Sequence, residues 1–131
     1  MAETGFGWTG FSEHDAMGAV ADNATDTSPE LDLDTIAACQ IGLTLAGGAG
    51  TVDGIVTVYV LGTVDGTDWE GMTNGSAWAF SITPVVSTSV YKVFHVDPGI
   101  YPKCKIGINN TSGISVTVTI DKNTATIPLA S

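Results

Sequence analysis

Arginine is absent from this 131-residue chain, and lysine occurs only four times. Nucleic-acid binders set Lys and Arg against phosphate, so no nucleic-acid partner is expected. Docking on an anionic membrane surface is disfavoured for the same reason. Long apolar runs are missing as well. The longest, Ile55 to Leu61, is interrupted by Thr57 and falls far short of the roughly 20 residues of a membrane-spanning helix. Met1 to Gly5 has no basic start and no apolar stretch after it, so no secretory signal is expected. Two cysteines are too few for a disulfide framework. Charged residues make up only 14%, against a usual fraction of about 25%. The 44% of apolar residues nevertheless excludes a chain that stays disordered.

What is abundant is glycine (16), threonine (18) and serine (9). That mixture suits strands joined by tight turns. The length suits one domain with one modest core. The net charge of −10 is unevenly placed. Residues 1–91 carry 12 acids and no base, and residues 92–131 carry Lys92, Lys103, Lys105 and Lys122 against Asp97 and Asp121. Such asymmetry can steer association with a basic partner or with another copy, or serve solubility alone.

From residue 35 the hydrophobic period is two. Cys39, Ile41, Leu43 and Leu45 alternate with polar or small residues, as do Cys104, Ile106 and Ile108, and again Ile114, Val116, Val118 and Ile120. Ile55 to Leu61 is apolar at both parities, which suggests a central strand covered on both faces. Trp78, Phe80 and Ile82 alternate before Pro84, which favours core packing for Trp78. Val90 to Val96 reads as the next strand. Turns are expected at Gly47–Gly50, Asp65-Gly66, Asn74-Gly75, Asp97-Pro98-Gly99 (type II) and 109–113. Lys122 to Ser131, with Pro128, reads as an edge strand or an arm. The pattern predicts an all-β fold, an antiparallel, jelly-roll-like β-sandwich of about six to eight strands with an extended N-terminal arm. The arm spans residues 1–34 and the sandwich 35–131. Ser12 and Asp15 could cap one short helix over 14–21, although Gly18 weakens it.

Catalytic chemistry is poorly represented. Gly5 to Gly10 matches a dinucleotide-binding glycine pattern literally, but has no strand before it and no helix after it. His14 and His95 lack a nucleophile at a useful spacing. Glu30, Asp32 and Asp34 could share one strand face, and Asp65, Asp68 and Glu70 surround a turn. Neither group has the glycine-bent loop of a calcium site, and solvated faces and turn chemistry account for both. No catalytic residue, metal or cofactor is therefore expected. Cys39 and Cys104 fall on apolar parity and are expected to be buried free thiols.

Aromatic residues offer the best candidates for binding. Phe6, Trp8 and Phe11 sit among glycines before any periodic segment, and three exposed aromatics would be a liability on a free monomer. They either fold back on the core or dock on another chain, and docking is the preferred reading. Trp69, between Asp68 and Glu70, has no clear parity. It could form part of a sugar-binding platform or of the core.

The segment Val58-Tyr59-Val60-Leu61-Gly62-Thr63-Val64-Asp65-Gly66-Thr67-Asp68-Trp69-Glu70 resembles a strand and turn that recur in small β-sandwich proteins of tailed-bacteriophage virions. Lys105 to Val118 is similar to their closing hairpin, and the likeness covers roughly residues 36–121. It implies a capsid decoration (cement) protein on the virion surface, typically a homotrimer, with the major capsid protein as partner and no enzymatic activity. Carbohydrate-binding modules use similar turns. A carbohydrate-binding module, or a tail or fibre accessory protein, is therefore the alternative expectation.

Overall fold

The structure is a computed structural model that describes residues 7–73 and 77–126. Among the described residues there are ten strands and no helix. They are β1 (Gly7–Trp8), β2 (Ser12–Val20), β3 (Ala24–Thr27), β4 (Leu31–Asp32), β5 (Ala38–Gly47), β6 (Val56–Gly62), β7 (Trp78–Ile82), β8 (Ser89–Val96), β9 (Lys103–Asn110) and β10 (Val116–Thr126). Sheet A runs β2-β10-β5-β8, with β1 beside the end of β10. Sheet B runs β3-β9-β6-β7, with β4 beside the start of β9. All pairings are antiparallel. Sheets of order β2-β10-β5-β8 and β3-β9-β6-β7 form a jelly-roll sandwich, in which the chain changes sheet at most connections.

The period-two segments explain the core. Ile41, Leu43 and Leu45 of β5 and Val116, Val118 and Ile120 of β10 point inward from sheet A. Val56, Val58 and Val60 of β6 and Ile106 and Ile108 of β9 point inward from sheet B. Full burial of each such side chain contributes roughly 1.5–3 kcal/mol.

Several expectations change on folding. Residues 14–20 form strand, not helix. Gly18 has φ +84°, outside the helical range, and Val20 is drawn into the core by pairing with Val116 on β10. Residues 7–32 are extended, as expected of an arm, but they contribute strands to both sheets. Val20, Leu31 and Leu33 are buried in the common core, so position 34 does not mark its boundary. Lys122 to Thr126 prolongs β10 between β1 and β5 instead of forming an edge. The strand Val56–Gly62 is central but keeps the alternation, with Thr57 and Tyr59 only half-buried. Gly99 does not take the positive φ of a type II turn. Instead Asp97 closes that turn, its carboxylate accepting from the Gly99 N–H at 2.8 Å. The Asn74-Gly75 turn lies outside the described residues.

A buried polar knot joins the end of β2 to the β9–β10 turn. The Asn110 side-chain amide donates to the carbonyls of Val20 (2.9 Å) and Ile114 (2.8 Å). Its oxygen accepts from the Ser112 N–H (3.1 Å) and hydroxyl (2.6 Å).

Candidate functional site

Among the described residues, β8 pairs only with β5 and so forms one edge of sheet A, and β7 pairs only with β6 and forms one edge of sheet B. The two edges leave a trench of about 500 Å³, lined by Trp78, Phe80, Ile82, Val90, Lys92 and Phe94 among others. Trp78, Phe80 and Phe94 stack at its base, with ring centroids 5.4, 6.0 and 5.0 Å apart. Trp78 has the inward parity expected of a core residue, since it pairs with buried Val60. It remains 48% exposed because, among the described residues, no strand lies beyond β7 to cover it.

On the outer face of sheet A, Tyr91 is 74% and Val93 56% exposed. With Phe11, Gly42 and Asp121 they line a shallow groove of about 170 Å³. Tyr91, Lys92 and Val93 belong to groove and trench alike, so an apolar band runs around β8. The sequence signal was present, since Val90-Tyr91-Lys92-Val93-Phe94 is apolar at both parities. Periodicity alone does not mark Tyr91 and Val93 as exposed, because it does not say that β8 ends its sheet.

Of the aromatics expected to bind a partner, the three that are described do not form one site. Phe6 lies outside the described residues. Trp8 pairs across from Ala125 and is 40% exposed. Phe11 folds back on its own sheet, half exposed, with its ring over Gly42. A Cβ at position 42 would stand 3.2 Å from that ring, so the glycine makes room for it. Trp69 lies on the far side of the sandwich, in the loop between β6 and β7. That loop folds over the outer face of sheet B and sets Trp69 beneath the Lys105 ammonium, 4.3 Å from the ring centroid, a cation–π contact.

Around Trp69 is a second cleft of about 460 Å³, lined by Thr63, Asp68, Glu70, Ile100 and Tyr101 among others. Its rim is ordered by short hydrogen bonds. Glu70 Oε1 accepts from the Gly62 N–H at 2.7 Å. Asp65 Oδ1 accepts from the N–H groups of Asp68 (2.7 Å) and Thr67 (2.8 Å), which hold its carboxyl below the ordinary carboxylate range. Burial, and after it the negative charge of Glu70, raises the Tyr101 phenol. Two aromatic rings beside two carboxylates can take a polyhydroxylated ligand, but Lys105 already occupies one face of Trp69.

His14 and His95 lie on β2 and β8, the outer strands of sheet A, with β10 and β5 between them. His14 Nε2 is 3.1 Å from the Pro29 carbonyl oxygen. Among the described residues, no three acid, histidine or cysteine side chains converge as metal ligands. Glu30, Asp32 and Asp34 are exposed to solvent.

Cys39 and Cys104 are free and buried, one in each sheet. Burial pushes the Cys39 thiol up to about 11 and the Cys104 thiol up to about 12. An unfolded thiol ionises near 8.5, so above about that pH the folded state holds protons that the unfolded chain releases. Stability is expected to be level in this respect below about pH 8.5 and to fall as pH rises toward 11 and 12. Replacing both cysteines with alanine is expected to flatten that fall in a series of thermal melts. An unchanged slope would show that the thiols are not the titrating groups.

No protein-family profile matches the sequence, and no curated protein does. Among solved structures, the chain is similar to one from Bacillus endospore appendages, a family of disulfide-linked pili. The identity is 11% and the TM-score 0.49, over 98% of this chain and 96% of the other. It is also similar to a CBM4 carbohydrate-binding module, at 14% identity and a TM-score of 0.44, over 92% and 77% of the two chains.

Proposed function

We propose that this protein is a structural subunit of a virion surface, a capsid decoration protein that binds the major capsid protein and has no catalytic role. The observation that carries the reading is the outer face of sheet A, where Phe11, Tyr91 and Val93 stand exposed side by side. Scattered apolar residues on a surface need no explanation, but a grouped patch marks an interaction site. A rigid sandwich supports these side chains at little cost in ordering. The resemblance of Val58 to Glu70 to phage virion proteins supports the same reading.

The test is sedimentation of the purified protein with undecorated particles. Tyr91→Ser with Val93→Thr is expected to weaken binding at least tenfold, about the loss that removing one interface anchor brings. Both residues point to solvent, so the thermal melt should move little. Full binding by a folded double variant would move the contact elsewhere and remove the main support for this reading.

The Trp69 cleft supports a second reading, a carbohydrate-binding module. In that case the protein binds a glycan, and Trp69→Ala abolishes binding. Absence of binding across a glycan array would discard it.

A further inference from the structure

The two outer strands of sheet A, β2 and β8, each keep one side without a ladder partner among the described residues. Each also carries a charge at the parity that faces between the sheets. Asp15 stands opposite Ile120, which is fully buried, and Lys92 stands opposite Leu43, which is buried as well. Residues opposite one another in an antiparallel pair project from the same face. A charge set inward on an edge strand hinders indiscriminate strand addition. It also selects. Two β8 edges would bring Lys92 against Lys92, and two β2 edges would bring Asp15 and Glu13 against their own kind. Of the pairings between these two edges, β2 against β8 is the one that joins opposite signs.

Strand direction agrees with charge. β2, β10, β5 and β8 alternate in direction. A second copy kept in the same orientation therefore brings its β2 antiparallel to the first copy's β8, with no turning over. Lys92 is also the first base in the sequence, after twelve acids. The edge of β8 is thus a basic point on an acidic molecule. The register of β2 is irregular at two places, so any ladder formed there is short, and side-chain charge decides the match.

We infer that a second copy of this chain docks its β2 edge on the β8 edge, with Asp15 of one copy against Lys92 of the other. The contact uses different surfaces on the two copies, so it repeats head to tail until rotation closes a ring. The inference rests on the reading of the protein as an assembly subunit. Tyr91 and Val93 project from the outer face of the same strand, so the edge contact borders the face proposed to meet a coat.

Sedimentation equilibrium of the full chain tests the contact at about 100 μM, where a micromolar affinity is saturated. The natural chain is expected to be oligomeric. Lys92→Glu and Asp15→Lys are each expected to weaken association at least tenfold, and Asp15→Lys combined with Lys92→Glu in one chain is expected to restore it. Lys92 is exposed and Asp15 half-buried at an edge, and a thermal melt of each variant confirms folding. For any variant that fails to fold, Asp15→Asn and Lys92→Gln remove the same charges without reversing them. A monomeric natural chain, an oligomer indifferent to the single changes, or a charge-swapped chain that stays monomeric would each overturn the inference. Particle binding by a monomeric natural chain would leave the decoration reading standing without this contact. Charge-dependent oligomers that ignore particles would do the reverse.

Discussion

Replacing Asn110 with alanine is expected to destabilise the fold by about 2–5 kcal/mol in urea unfolding. The side chain is fully buried and makes four hydrogen bonds, to the Val20 and Ile114 carbonyls and to the N–H and hydroxyl of Ser112. Truncation leaves those partners in a dry interior, and each buried polar group left without a partner costs about 1–3 kcal/mol. Ser112 Oγ also contacts the Ile114 carbonyl oxygen at 3.1 Å, which offsets part of the loss. Asn110→Asp keeps the acceptor but loses both donors and introduces a buried charge, so it should be worse than alanine. A loss under about 1 kcal/mol for the alanine variant would mean that water reaches the knot. Because Asn110 holds the end of β2, the same change should also raise amide exchange along that strand before the core opens.

Ile108→Ala should cost a similar amount, about 2–5 kcal/mol, by the different route of cavity formation. Ile108 is fully buried on β9, between Val58 of β6 and Asp26 of β3 in the ladder. No neighbour can move into the space without distorting two sheets packed about 10 Å apart. Thr117, on the outward parity of β10, is exposed. Its replacement by alanine should stay within about half a kcal/mol. Equal effects at the two positions would mean that the inward parity is misassigned.

Period-two alternation in β5, β9 and β10 sufficed to read the all-β class and most of the core, because it is a local consequence of strand geometry. The turns at Asp65-Gly66 and 109–113 were legible for the same reason, since their chemistry lies within a few residues. The amino-terminal strands were not. Ser12 to Val20 has no clean alternation because β2 is irregular against β10, and its pairing partner lies about a hundred residues away. Asn110 read as a turn residue because its partners Val20 and Ile114 meet only when β2 reaches the β9–β10 turn.

The candidate sites divide along the same line. The lack of arginine and the four lysines against fourteen acids were legible before folding, and the expectation of no nucleic-acid partner rests on them. That Trp78 stands at an open edge, that Trp69 lies under Lys105, and that Phe11 settles over Gly42 depend on which strands end each sheet. Parity along a strand says which way a side chain points. Only the order of strands says whether anything is there to cover it.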